Sequence, residues 1–374
     1  MTTRGARPLT VFTLVVLLSG CSIGDVRRTP PPPEPPPSHS ASPGPPPTPR
    51  PVAETRSTRL AVPARYDSPF VEFVDAERGY ALYAACDGRP PGGPDCRALL
   101  WSTRDGGRSW QRLRHPRPVA DNQQLYATVD VLALWAEPHG WWTSTDGGET
   151  FRHSPGEAAP ASWQEAQGRF QIIESSGEVG RWVDGVLRPL PAQPPVPVVQ
   201  TVTGGEPERF DSYIPPLIVA GLTEDGGPAV AVSWDGGRDW QSEPVPPPEG
   251  EIGVLRAAVT PDERWLIGER PDRTGFPALW VQRGPRWLAV AAEGHPELGR
   301  VVPLGGSTVA VIGPRGAGAV IGDRYLELTW PVTAEHSLRV LADGTLFAAT
   351  PQGVLLGSGR YVERTWTAVT LETD

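Results

Sequence analysis

The chain has 374 residues, with 34 arginines, no lysine and 43 acidic side chains, for a formal net charge of −9. An acidic balance with no dense basic run lacks the electrostatic footprint of a nucleic-acid binder and excludes that class of partner. The length leaves ample chain for an independent core once both ends are set aside.

Chain order begins with an address. Arg4 and Arg7 precede the ten-residue apolar run "LTVFTLVVLL" (9–18), and "LSGC" follows, ending at Cys21. A short positive segment, an apolar run and small residues at a cleavage point make residues 1–20 a signal peptide. The run is too short to span a bilayer, which takes about twenty residues. An ordinary secretory signal with an incidental cysteine is the alternative. The arrangement resembles a bacterial lipoprotein signal with its lipobox, which implies that Cys21 is lipidated, becomes the mature N-terminus and anchors an extracytoplasmic protein to the membrane.

From Thr29 to Pro51 the sequence reads "TPPPPEPPPSHSASPGPPPTPRP". Proline at this density fixes φ and removes backbone donors, so residues 21–55 are expected to be a polyproline II-like spacer behind the anchor. At about 3.1 Å per residue, the proline-rich part reaches roughly 70 Å. A PxxP ligand is the other reading of the same composition. The globular domain is placed at residues 56–374.

Two further cysteines, Cys86 and Cys96, flank "DGRPPGGPD" between the apolar runs "YALYAA" and "RALLWS". Outside the cytoplasm a pair across a turn-rich hairpin is most simply a disulfide. Two cysteines with no neighbouring histidine are too few for structural zinc.

Next comes a repeat. "FVEFVD" (70–75), "GYALYAAC" (79–86), "RALLWS" (97–102) and "WQRLRH" (110–115) read as four strands joined by turns. The octet before the fourth, "TRDGGRSW" (103–110), returns as "STDGGETF" (144–151) and "SWDGGRDW" (233–240). Phe151 follows Trp110 by 41 residues and Trp240 follows Phe151 by 89, room for one unit without an octet. That unit is "VGRWVDGVLRPLP" (179–191), turning at Asp184-Gly185, a preferred two-residue hairpin turn. Further hairpins are "ALWVQRGPRWLAV" (278–290), "AVIGDRYLELTWPV" (319–332) and "VLLGSGRYVERTWTAV" (354–369), the last two sharing Arg324–Trp330 and Arg360–Trp366.

Units of about 40 to 45 residues with four strands predict an all-β fold, a β-propeller of four-stranded blades, seven in number. Six or eight blades follow if residues 155–250 divide otherwise. Whether residues 58–66 close the ring as an outer strand stays open, because "TWTAVTLETD" fills that place. Trp101, Trp142, Trp182, Trp234 and Trp280 before the hairpin turn, and Trp110, Trp240, Trp287 and Trp366 after it, are expected to pack between blades.

Residue types suggest what the octet does. Asp105, Asp146 and Asp235 can accept amide N–H bonds within their own loops, and Gly107, Gly148 and Gly237 can take φ > 0. The hydroxyls of Thr103, Ser144 and Ser233 close the turn, while Trp110, Phe151 and Trp240 anchor its exit. An EF-hand needs several alternating ligands and a distant Glu; one Asp per loop does not supply them, so no metal is expected.

The octets resemble the Asp-box, or bacterial neuraminidase repeat. "STDGGETF" meets every defining position, and together with Phe73–Leu82 the chain is similar to sialidase-like propellers and to photosystem II assembly-factor-like repeats. The resemblance implies Asp-box hairpins on the blade periphery and a site, where one exists, at the axis. Sialidases of this kind use three arginines, a tyrosine nucleophile and acidic partners, with the first arginine in a Phe/Tyr-Arg-Ile-Pro motif. Here "RLAVPARYDSPFVEF" (59–73) lacks it and "YIPP" (213–216) has no arginine. Tyr325 and Tyr361 belong to the repeated hairpin, and the one G-x-S-x-G match, Gly20–Gly24, straddles the cleavage point. Catalytic residues therefore stay unassigned, and no cofactor is expected. The composite expectation is a monomeric, membrane-tethered, non-catalytic platform for an envelope protein or a glycan; the alternative is a diverged exo-sialidase-like glycoside hydrolase.

Overall fold

Short runs of alternating or continuous apolar residues, bounded by Gly, Pro and Asp, form strands throughout the computed structural model. It describes residues 52–86, 96–120, 123–204, 216–271 and 275–373. The chain divides into a unit of Met1–Pro45 and a unit of Pro46–Asp374. The signal, Cys21 and residues 21–51 of the spacer lie outside the described residues.

In chain order, β1 (Glu54–Arg59) precedes the first blade, made of β2 (Phe70–Phe73), β3 (Gly79–Tyr83), β4 (Leu99–Thr103) and β5 (Gln111–Leu113). The second blade holds β6 (Gln124–Ala127), β7 (Leu132–Ala136), β8 (Gly140–Ser144) and β9 (Arg152–Ser154). A short helix, α1 (Ala161–Ala166), leads into the third: β10 (Phe170–Ile172), β11 (Val179–Val183) and β12 (Val186–Pro189). The fourth has β13 (Val198–Thr203), β14 (Leu217–Leu222), β15 (Pro228–Ser233) and β16 (Gln241–Glu243). The fifth has β17 (Val254–Val259), β18 (Arg264–Glu269), β19 (Ala278–Arg283) and β20 (Arg286–Val290). The sixth has β21 (Arg300–Gly305), β22 (Thr308–Gly313), β23 (Gly316–Ile321) and β24 (Arg324–Glu327). The seventh has β25 (Ser337–Val340), β26 (Leu346–Thr350), β27 (Gly353–Arg360) and β28 (Glu363–Glu372). The sheets are antiparallel meanders apart from one pairing. The protein is a seven-bladed β-propeller.

Two blades depart from four strands. In the third, α1 stands where the other blades have their first strand, and Trp163 packs on Tyr126 of β6 with ring centroids 5.6 Å apart. Six helical residues span too little length to supply a ladder, so this sheet keeps three strands. In the seventh, β1 adds a fifth strand parallel to β28, pairing Glu54 with Thr367 through Arg59 with Glu372. The C-terminal candidate takes that place as β28, and the strand added outside it is Glu54–Arg59, so of residues 58–66 only Thr58 and Arg59 belong to the closing strand. Glu54 and Thr55, counted with the spacer in the sequence reading, belong to this strand, and Val52 packs on the core of the last blade.

The core lies between blades. Trp280 and Trp287 are fully buried between the fourth and fifth, and Trp330 meets Trp366 at 5.3 Å in the seventh-blade cluster. Trp234 departs from the packing expectation: it is 58% exposed. It occupies a variable octet position just beyond β15, where the chain has left the sheet, and Arg264 lies over its ring at 4.8 Å.

Each octet is also an inter-blade joint. A Cβ at Gly107 would lie 2.6 Å from Val369 Cγ1 of β28, one at Gly148 2.6 Å from Leu113 Cδ1 of β5, and one at Gly237 2.5 Å from Leu190 Cδ1 just past β12. In all three cases the second glycine receives an outer side chain of the preceding blade. Around the closure, Arg56 of β1 donates to Gly106 O at 2.7 Å, and Ala76 N donates to Asp343 of the seventh blade at 2.9 Å. Octets and first-strand turns therefore share one face of the ring, and β1 enters from that face.

Gly107 has φ +86°, and the methyl group would meet β-branched Val369, which is 3% exposed and restricted at χ1. Gly107→Ala should lower unfolding free energy by about 2–4 kcal/mol, combining left-handed strain with overpacking. Gly236→Ala, with φ +74° and nothing within 4 Å, should lower it by about 1 kcal/mol. Urea titrations of the two variants check this difference.

Candidate functional site

The octet residues build closed polar loops. Gly107 N donates to Thr103 Oγ1 at 2.9 Å, Gly148 N to Ser144 Oγ at 2.8 Å and Gly237 N to Ser233 Oγ at 2.7 Å. Each hydroxyl donates in turn to its carboxylate, Asp105, Asp146 or Asp235, at 2.7–2.8 Å. The same carboxylates accept the amides of Ser109, Thr150 and Asp239 at 2.9–3.0 Å. Ser109 and Thr150 add hydroxyl bonds at 2.6 and 2.5 Å; Asp239 has no hydroxyl to give. Trp110 and Phe151 are half-buried against neighbouring clusters, and Trp240 Nε1 donates to Ala192 O at 2.9 Å.

These contacts set the acidities. Burial, the largest single influence on Asp105, pushes its carboxyl up, but the bonds from Ser109 and Thr103 together outweigh it and bring it down to about 2. The Thr150 hydroxyl and amide, with Ser144, hold Asp146 well below the usual range, and the Asp239 amide and Ser233 lower Asp235. Every lone pair so engaged faces its own loop, which leaves the octets as joints rather than reactive centres. The three octets carry no metal-ligating cluster, nor does any other group of three or more His, Cys, Asp and Glu among the described residues.

Cys86 and Cys96 form a disulfide with Cα atoms 6.2 Å apart. The pair packs with Ala120 and Tyr66, fixing the stem of the loop on the face opposite the octets.

First strands near the axis carry arginines from three adjacent blades, Arg256, Arg300 and Arg339. Arg256 pairs with Glu269 at 2.6 Å. Arg339 pairs with Glu72 of the first blade and lies over the Phe347 ring at 4.6 Å. Arg300 donates to the Ala334 and His336 carbonyls at 2.6 and 2.7 Å. Each guanidinium is committed within or between blades, so the three do not form a shared carboxylate clamp. Tyr325 and Tyr361 lie on outer hairpins, where the Tyr361 hydroxyl reaches Asp262 of the fifth blade at 3.4 Å.

A different arrangement stands on the flank between the first and second blades. A groove of about 700 Å³ runs along β5 and across to β8 and β9. Arg97, Arg112 and Arg114 line it; all three are exposed, and their guanidinium groups make no ion pair or hydrogen bond among the described residues. Trp142 forms the floor, stacked by His153 at 4.6 Å with Arg117 5.9 Å from its ring centre. Among the described residues, Glu149, from the second octet, is the one acidic lining residue. The sequence shows these arginines as scattered positions; register places Arg112 opposite Trp101 and Trp142 opposite His153, and the blade joint brings the two sets together.

No family model matches the chain, and no curated protein does. Several solved structures are similar to it at low identity. A GH74 xyloglucanase from Xanthomonas campestris is 16% identical with TM-score 0.30, covering 79% of this chain and 46% of its own. The chain thus spans under half the length of that enzyme. YCF48 bound to D1 peptide is 15% identical with TM-score 0.27, covering 83% and 82%. A lectin from Aleuria aurantia is 10% identical with TM-score 0.30, covering 83% and 98%.

Asp105 ionises near 3.8 in an ordinary setting and at about 2 in the fold. A lowered folded value stabilises the fold above about pH 4 and loses that contribution as pH falls toward 2. Thermal melts should show the midpoint dropping across this window, with a shallower drop in an Asp105→Asn/Asp146→Asn variant.

Proposed function

We propose that this protein is a non-catalytic binding platform, tethered outside the cytoplasm through lipidated Cys21, whose partner is an envelope protein presenting an acidic, extended segment. The flank groove carries the reading. Three exposed arginines in one cleft, their guanidinium groups without a partner among the described residues, form a local field of opposite sign in a chain with net charge −9, suited to steering an anionic partner. β5 is the outermost strand of its sheet, so its outer edge is open to main-chain pairing with an extended peptide. The seventh blade already carries one such added strand in β1. A glycan fits less well, since the Trp142 indole that would stack on a sugar is occupied by His153 and packed against the core. A sialidase-like reaction fits less well again, because Arg256, Arg300 and Arg339 are each engaged elsewhere.

Fluorescence anisotropy with a labelled peptide of alternating Glu and Val tests the reading on the full chain. Binding should weaken tenfold or more in an Arg112→Glu/Arg114→Glu variant, and should fall steeply between about 0.05 and about 0.5 M salt as screening tightens. Affinity indifferent to charge reversal, or turnover of fluorogenic glycosides by the parent protein, would overturn it.

A further inference from the structure

The outer strand of each blade presents one edge to solvent, and a long uncharged edge pairs with other strands unless something blunts it. Most edges of this ring are blunted. β5, β9 and β16 are three residues each and carry Arg112, Arg152 and Glu243, while β12 has Arg188 and ends in Pro189. β24 is covered by the chain crossing from the fifth blade: Glu293 N donates to Asp323 O at 2.7 Å, and Tyr325 N donates to Glu293 O at 2.9 Å. β28 is covered by β1, whose own edge carries Glu54, Arg56 and Arg59.

The fifth blade differs. Its outer strand β20 is five residues long, reads RWLAV, and has its one charge at the first position. Leu288 is 46% exposed, and Ala289 is exposed as well. The two-residue turn Gly284-Pro285 closes on the pair Arg283–Arg286, so Arg286, Leu288 and Val290 are the residues bonded to β19. Trp287 and Ala289 therefore turn their amides and carbonyls outward, where no hydrogen bond meets them among the described residues.

A second copy of the same edge fits this one. Two β20 strands laid antiparallel about a two-fold axis at Leu288 set Trp287 of each against Ala289 of the other, which closes two rungs through the outward-facing groups. Leu288 then meets Leu288, and Arg286 stands opposite Val290, so no like charges face each other. Val290 packs on the side of the sixth blade, and the next residue, Ala291, donates its amide to Asp323 of that blade at 3.4 Å. Arg286 lies on the same side of the sheet as Val290, four residues along. The two-fold thus brings each Arg286 beside the other copy's Asp323. Both side chains are exposed, and Arg286 makes no ion pair or hydrogen bond among the described residues.

We infer that β20 is the interface of a homodimer in which the fifth blades of two copies join edge to edge into one continuous sheet. Two rungs, one leucine contact and two ion pairs cover less than the roughly 1,200 Å² of a stable complex, so the pairing is reversible. The monomer expected from the sequence is its dilute form. The edge lies on the fifth blade and the flank groove on the first two, so the inference does not depend on the peptide reading.

Sedimentation velocity on the full chain, from about 1 to about 500 µM, should show a reversible passage from monomer to dimer. Leu288→Glu sets like charges across the two-fold and should weaken dimerisation about tenfold or more. Arg286→Glu should weaken it about fivefold, and adding Asp323→Arg should bring it back to within about twofold of the parent, because the exchange restores opposite charges at both ends. All three positions are exposed, so dilute variants should melt within about 3 °C of the parent, which separates loss of pairing from loss of fold. A monomer throughout the range overturns the inference. So does a dimer indifferent to Leu288→Glu, as association through any other surface would be, or a double variant no tighter than Arg286→Glu alone.

Discussion

Every sheet in this molecule has two apolar faces, and neither is buried except by the sheet beside it. Leu100 and Leu134 from neighbouring blades share one cluster, and Ile218 with Trp280 share another, so each blade depends on the next and the ring depends on closing. The octets serve this constraint directly. Their hydrogen bonds shape a loop whose second glycine leaves a seat for Val369, Leu113 or Leu190 of the blade before. Where the octet is absent, other polar joints take over: Gly306 N and Ser307 N of the sixth blade donate to Asp262 and Glu263 of the fifth at 2.8 and 2.7 Å.

That economy decides where function can sit. Charges near the axis are consumed within the scaffold: Arg339 joins its first strand to Glu72 on that of the next blade, and Arg256 pairs with Glu269 on the second strand of its own sheet. Gln200 works in the same way without charge, its amide bridging Gly253 O and Leu255 N of the adjacent blade at 2.9 and 2.7 Å. Exposed arginines whose guanidinium groups have no partner among the described residues, Arg97, Arg112 and Arg114, lie instead on the flank, at the junction between the first and second blades.

Local features of this architecture were legible in the sequence because they depend on neighbours along the chain. Hairpin rhythm gave the blades, and turn residues such as Asp184-Gly185, both at positive φ, marked the change of direction. The cysteine pair lay close enough in sequence for its bridge to be read. Long-range pairings left no such trace. The addition of β1 outside β28 joins residues more than 300 apart, and nothing in "ETRSTR" announces a partner. The replacement of a first strand by α1 is masked because Trp163 buries as a strand residue would. Trp234 reads as core by its composition alone, yet one step beyond the sheet turns it to solvent. The groove escaped detection because Arg112 and His153 become neighbours only through the joint between blades.

The parallel pairing of β1 with β28 has a mechanical side. A pull on the chain ahead of Glu54 acts along the strand, so the ladder from Glu54–Thr367 to Arg59–Glu372 is loaded in shear, with its bonds resisting together rather than opening one by one. Arg56 and Thr58, reaching across to the first blade at Gly106 and Gly107, share that load between two blades. Under the proposed tether, drag on the body would be borne by the strand that also closes the ring, so one six-residue ladder would set both how firmly the propeller is held and how long it stays shut.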